Sequence, residues 1–201
     1  MQPLPNEIIF VSGQRGSGKS YWTKRLSTIL PRCVIFDTLG EYPADKRFYE
    51  IEPFVDFLAA DKANPQFFTV SFSPVDPQED FETFCRAILA RGDIYLIMEE
   101  LDTVSTPYYT PYEFAKLIKY GRHFEIQIVG VSRRAAEISR LYTSQASRFV
   151  IFNQVEPNDL KYWRSIIGKT ANDLPNMPDY HFIDADFSKK PVNLDVQPPI
   201  S

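Results

Sequence analysis

Short apolar runs alternate along this chain with segments whose apolar residues recur at helical spacing. EIIFVS (7–12), CVIF (33–36), QFFTVSF (66–72), IYLIM (94–98), IQIVGVS (126–132) and RFVIF (148–152) read as strands. Several are continuous rather than alternating, which argues for parallel strands buried on both faces. Helices are predicted over 19–30, ended by Pro31, and over 53–60. A third spans 77–91, where Phe81, Phe84, Cys85, Ile88 and Leu89 share a face, and a fourth spans 111–121, stopped by Gly121. A short helix over 135–141 and one over 157–167, opening on a proline, complete the set. A last strand is predicted near 180–183, ahead of a proline-rich tail from about residue 186. Alternating strands and helices predict an α/β fold, a mostly parallel sheet with helices on both faces. A length of 201 residues suits one domain covering 1–201.

Charge and composition narrow the function classes. The net charge of −4 removes a global basic signature for nucleic acid but leaves room for a local basic face. Cys33 and Cys85 fit no disulfide or metal framework, which points to a reducing compartment. No apolar run approaches the ~20 residues that span a bilayer, so no membrane insertion is expected. MQPLPNEIIF lacks the charged start and long apolar stretch of a secretion signal, so an intracellular protein is expected.

The chemistry enters with Gly13-Gln14-Arg15-Gly16-Ser17-Gly18-Lys19-Ser20, which fits G-x-x-x-x-G-K-[ST] between an apolar strand and a helix. Glycines let the backbone wrap with its N–H groups inward, and the helix N-terminus adds partial positive charge. Lys19 is placed for the β- and γ-phosphates and the Ser20 hydroxyl for Mg²⁺, with Tyr21 next in line. ATP and Mg²⁺ are the expected ligands. IYLIMEE (94–100) raises a second question, because a buried strand ends on two adjacent carboxylates. Repulsion and lost hydration call for a cation nearby, or else for solvent at the strand end. A phosphate loop needs such a strand-end carboxylate to hold Mg²⁺, directly or through water. Glu99 stands where Asp is usual, and Glu100 where many such ATPases carry the base acting on water. Asp102 lies past the strand end and reads as a surface-loop residue.

Rival readings remain at this point. Asp37-Thr38-Leu39-Gly40 after a strand fits the D-x-x-G of small GTPases, but no N-K-x-D stretch follows. A small nucleotide kinase has similar length, and Arg133 with Arg134 could stand for its lid arginines, although they directly follow an apolar strand. A non-hydrolysing, nucleotide-dependent scaffold is a further alternative.

The phosphate loop, the D-x-x-G-E of residues 37–41, the carboxylate pair, YGRHFEIQIVGVSRR (120–134) and RFVIFNQVEPNDLKYW (148–163) occur in that order. The set resembles the HerA/FtsK superfamily of ring-forming DNA-translocating ATPases. More closely, it resembles the small genome-packaging ATPases of membrane-containing icosahedral viruses. The resemblance runs over residues 6–185. It implies a P-loop fold of the additional-strand, catalytic-glutamate type and ATP hydrolysis coupled to moving double-stranded DNA without reading its sequence. It also implies a ring, hexamer or pentamer, that meets capsid or portal-vertex proteins in the host cytoplasm or at the virion packaging vertex. Cellular or plasmid translocases of the same superfamily are the alternative within it. By resemblance Lys19 and Ser20 match the Walker A lysine and hydroxyl, Glu99 the metal carboxylate and Glu100 the catalytic glutamate. Arg122 matches the arginine that enters the neighbouring subunit's site. Arg133, eleven residues on, stands where the family usually has a sensor glutamine. Glu for Asp at 99 and Arg for Gln at 133 depart from the pattern. The bias of Lys116, Lys119, Arg122, Arg133, Arg134, Arg140 and Arg148 over Glu125 and Glu137 offers a phosphate-gripping face. The same residues could instead serve the ATP site and the subunit interface. PYYTPY (107–112) reads as a loop towards a pore or as a packing loop.

Overall fold

The computed structural model describes residues 7–63, 66–189, 192, 194 and 196–199. The N-terminal stretch before Glu7 and much of the proline-rich tail lie outside the described residues. The strands are β1 (Ile8–Ser12), β2 (Cys33–Phe36), β3 (Lys46–Phe48), β4 (Thr69–Phe72), β5 (Tyr95–Met98), β6 (Gln127–Ser132), β7 (Arg148–Ile151), β8 (Phe182–Asp186) and β9 (Val196–Gln197). They form one sheet in the order β3-β4-β2-β5-β6-β1-β7-β8-β9. From β3 to β7 every pairing is parallel, and β8 and β9 add antiparallel pairs at one end. β6 therefore separates the strand before the phosphate loop from the strand that ends on the two glutamates. Because these strands are parallel, the loops after β1, β2, β5 and β6 open on one edge of the sheet, where ligands of open α/β sheets bind.

The helices are α1 (Lys19–Ser27), α2 (Ile51–Ala63), α3 (Phe81–Arg91), α4 (Tyr112–Tyr120), α5 (Arg140–Gln145) and α6 (Pro157–Ile167). Two buried clusters form, one on each face of the sheet. Phe10, Phe36, Phe54, Phe72, Phe84, Phe114, Tyr142 and Trp163 belong to the larger. Ile9, Val11, Ile35, Ile97, Val129 and Val131 meet Trp22 and Leu26 of α1 in the smaller. Helices on both faces were expected, and the distribution is uneven. Among the described residues of the α-helices, those of α1 alone join the smaller cluster.

Several boundaries differ from the sequence reading for identifiable reasons. α1 stops at Ser27, before Pro31. The Ser27 hydroxyl donates to the Lys24 carbonyl (2.8 Å) and the Thr28 hydroxyl to that of Arg25 (2.9 Å), which competes with continuation. The single helix expected over 135–141 is two pieces, a 3₁₀ turn at Ala135–Glu137 and then α5. The Ser139 hydroxyl caps α5 by accepting from the Leu141 N–H at 3.2 Å. β3, an edge strand of three residues, is too short to show a period. β8 runs two residues later than expected and carries Asp184 within it. Asp184 takes a bidentate pair from Arg148 on β7 at 2.7 and 2.6 Å.

Candidate active site

Gly13 to Ser20 joins β1 to α1, whose first two residues are Lys19 and Ser20. Gly16 and Gly18 have positive φ, +80° and +114°, which glycine adopts without strain. A side chain at Gly13 would collide with Phe152 Cβ at 2.5 Å, so that position admits no larger residue. Lys19 donates its ammonium to the carbonyls of Gly13 (2.6 Å) and Gln14 (3.0 Å), across the loop's own mouth. Burial holds its pKa down to about 8, against the pull of Glu99. A buried ammonium with only carbonyl partners is a receptor for an anion.

β5 delivers Glu99 and Glu100 to the same cleft, which Arg15, Lys19, Ser20, Tyr42, Ser132 and Arg133 also line. The two carboxylates are not left facing each other. Burial pushes the Glu99 pKa up, and hydrogen bonds from Tyr42 and Ser20 together with the Lys19 charge draw it back. Tyr42 donates its hydroxyl to Glu99 Oε1 at 2.5 Å, and that hydroxyl also meets the Thr23 hydroxyl of α1 at 2.5 Å. Glu100 sits in the left-handed region (φ 46°, ψ 50°), an uncommon conformation for a glutamate. Its carboxylate accepts from Arg133 Nη2 at 3.1 Å, from the end of neighbouring β6. The glutamate pair is therefore split, one carboxylate turned to Ser20, Tyr42 and Lys19 and the other to Arg133.

The residues fit Mg²⁺ with a triphosphate. Ser20 and Glu99 offer a small, all-oxygen donor set of the kind Mg²⁺ takes alongside phosphate oxygens and water. Glu99 is a partly buried carboxylate whose pKa burial raises, and Lys19 a buried ammonium whose pKa burial lowers, so both gain from a ligand that brings a cation and an anion together.

Tyr42 was not legible in the sequence. It lies in Asp37-Thr38-Leu39-Gly40-Glu41-Tyr42, the stretch with the GTPase-like D-x-x-G. The Asp37 carboxylate is occupied within its own turn. It accepts from Glu41 N (3.0 Å), Tyr42 N (2.9 Å) and Arg47 Nη1 (2.9 Å), and so presents Tyr42 to Glu99.

The other sequence candidates separate. Tyr21 stands in the first turn of α1, half-exposed beside Tyr180. Asp102 is more than a bare surface residue, since it accepts from the Ser132 hydroxyl at 2.8 Å. Arg122 lies in a 3₁₀ turn (Gly121–Phe124) ahead of β6, at the sheet edge away from the cleft. Its guanidinium is exposed, with no ion pair or side-chain hydrogen bond among the described residues.

The expected basic face is largely neutralised. Arg134 serves Asp159 (2.7 Å), Glu137 (3.3 Å) and Glu156 (3.5 Å), Arg148 serves Asp184, and Lys116 serves Glu113 (2.9 Å). Arg140 lies over the Tyr162 ring at 4.7 Å. Residues 106–109 form a tight hydrogen-bonded turn with Tyr108 fully exposed at its tip.

No protein-family model matches the sequence, and no curated protein matches it significantly. Solved structures do. The genome packaging NTPase B204 from Sulfolobus turreted icosahedral virus 2, in complex with AMPPCP, superposes with a TM-score of 0.78. Identity is 20%, over 98% of this chain and 100% of that one. B204, the DNA-packaging ATPase from Sulfolobus turreted icosahedral virus, gives 0.74 at 18% identity, with both chains covered in full. The fold is that of a P-loop NTPase. EssC (ATPases 2 and 3) from Geobacillus thermodenitrificans shares it more distantly, with a TM-score of 0.57 at 15% identity over 100% of this chain and 41% of that one. Within the P-loop NTPase fold, the strand β6 between β1 and β5 is the additional strand that the sequence resemblance implied.

Proposed function

We propose that this chain is a single-domain ATPase that hydrolyses ATP with Mg²⁺ and, as a ring, drives viral double-stranded DNA into a preformed capsid. The observation that carries the hydrolytic reading is the convergence of Lys19, Ser20, Glu99 and Glu100 in one cleft at the sheet's ligand edge. The packaging reading is supported by a likeness to the two B204 proteins over almost the whole of each chain.

In this reading Ser20 and Glu99 hold Mg²⁺, which when bound neutralises charge on the triphosphate oxygens. Lys19 exchanges its two carbonyl partners for β- and γ-phosphate oxygens. Glu100 orients a water and takes its proton as the water oxygen bonds to the γ-phosphorus and the bond to the β–γ bridging oxygen breaks. Arg133 pairs with Glu100, and its turn to the γ-phosphate frees the base. Arg122 of a neighbouring subunit supplies charge that cannot come from its own chain's sheet edge. The ring grips the DNA backbone without reading sequence, meets capsid or portal-vertex proteins, and works in the host cytoplasm or at the packaging vertex.

Steady-state phosphate release from Mg·ATP, with and without double-stranded DNA, tests this on wild type and Glu100→Gln. DNA-stimulated hydrolysis is expected, falling ~10²–10⁴-fold in the variant while ATP binding persists. Hydrolysis indifferent to both DNA and the substitution overturns the motor and the role of Glu100.

A further inference from the structure

The mechanism places the terminal phosphate of ATP but leaves its base unplaced. Sheet order fixes the direction. Glu99, Glu100 and Arg133 stand at the ends of β5 and β6, on one flank of the phosphate loop, and β7 and β8 lie on the other. A triphosphate with its γ-end at those residues carries its nucleoside towards β7 and β8.

Two tyrosines wait on that flank. Tyr21 directly follows Ser20 in α1, and Tyr180 precedes β8. Their rings meet edge to face, with centroids 5.8 Å apart at 82°, and they remain 47% and 46% exposed. Tyr180 is fixed rather than loose. Its N–H donates to the Ser17 carbonyl of the phosphate loop at 2.9 Å. Its backbone holds φ 63°, unusual for an aromatic residue. It packs so closely on Gly18 that a side chain there would come 2.9 Å from its Cα. The ring is thus tied to the loop that binds the phosphates, while much of its surface stays open to solvent. Close by, Asp179 is exposed, and the ring Nδ1 of His181 lies against the Asp179 carbonyl at 3.1 Å. The N-K-x-D stretch that would read a guanine edge is absent from the sequence.

We propose that Tyr180, with Tyr21, is the nucleobase platform of this site, and that it takes the base by stacking without reading its edge. The inference rests on the nucleotide reading above and extends it to the substrate class, nucleoside triphosphates with little base selectivity.

Calorimetric titration of the full chain separates the two. Wild type, Tyr180→Ala, Tyr180→Phe and Tyr21→Ala are titrated with Mg·ATP and with inorganic tripolyphosphate plus Mg²⁺. Loss of a stacking ring weakens ATP on the order of tenfold in Tyr180→Ala. Tyr21→Ala weakens it in the same direction, Tyr180→Phe retains wild-type affinity, and tripolyphosphate binds all four proteins equally. GTP and CTP bind wild type within about tenfold of ATP, as expected for stacking with no edge readout. The platform is overturned if Tyr180→Ala weakens ATP and tripolyphosphate alike, or neither, or if wild type prefers one base by more than about a hundredfold. Wild type that binds tripolyphosphate but shows none of the tyrosine effects removes the platform and leaves the phosphate site standing. Wild type that binds neither ligand removes the nucleotide reading itself, and the platform with it.

Discussion

Glu99 touches two hydroxyls at once, those of Tyr42 (2.5 Å) and Ser20. Partners of this kind hold a metal-binding carboxylate in one orientation, and their loss typically costs ~10–100-fold in metal affinity or activity. Tyr42→Phe removes the donor and keeps the ring's packing. The Mg²⁺ concentration giving half-maximal phosphate release is expected to rise by about that factor, ~10–100-fold, with a smaller change at saturating Mg²⁺. An unchanged Mg²⁺ titration would leave Tyr42 as a packing residue. Arg133 is tested by a different split. If it leaves Glu100 for the γ-phosphate, Arg133→Ala lowers kcat by ~10²-fold or more with little change in ATP affinity, as for loss of a donor used in the transition state. Arg133→Gln, which restores the residue type the resemblance implies at this position, keeps more of the rate. A faster basal rate in Arg133→Ala would instead identify a simple restraint on Glu100.

At the scale of elements, β6 is the strand that sets the distance between the phosphate loop and the glutamates, and its packing depends on Gly130. The buried Tyr142 hydroxyl accepts from Gly130 N–H at 2.6 Å and donates to the Ile9 carbonyl of β1 at 2.7 Å. A Cβ at position 130 would lie 2.6 Å from that hydroxyl and 2.8 Å from Leu101 Cδ2. Gly130→Ala is therefore expected to destabilise by ~1–3 kcal/mol through overpacking. Tyr142→Phe costs about 1–3 kcal/mol through unpaired buried groups. Because the second change removes part of the obstruction to the first, the double variant should lose less than the sum, measurable by urea unfolding. Strict additivity would show that the clash relaxes elsewhere. This contact also marks where the sequence stops being informative. VGVS reads as strand, but nothing in it shows that a tyrosine twelve residues on will occupy the space above the glycine. Continuous apolar runs made β1, β2, β5, β6 and β7 readable, and the glycine-lysine-serine spacing made the phosphate loop readable. Tyr42 and Tyr180 take their roles from loops that meet the site only after folding. Arg134 and Arg148 looked like free basic residues because Asp159 and Asp184, their partners, lie 25 and 36 residues away.

For the whole molecule, the position of Arg122 decides what assembly the proposal requires. Arg122 precedes β6 while the cleft lies beyond its C-terminal end. At ~3.3 Å per residue, the strand puts them roughly 20 Å apart, out of reach within one chain. An arginine on one edge that serves a cleft on the other demands a head-to-tail interface, and such interfaces close into rings when the rotation permits. Lys19→Ala destroys a subunit's own phosphate site but leaves its Arg122 for a neighbour. Arg122→Ala does the reverse. Each variant alone is expected to lose DNA-stimulated hydrolysis, the second by ~10³–10⁵-fold if the arginine acts on the transferring phosphate. Mixed in equal amounts and allowed to exchange subunits, about a quarter of the head-to-tail interfaces pair an intact Lys19 with an intact Arg122, so activity returns. Phosphate release from the mixture, beside sedimentation showing the same assembly in every sample, is the measurement. A mixture as inactive as its parts, in rings that have exchanged, would remove Arg122 from catalysis and return it to the surface as an unpaired cation at the start of β6.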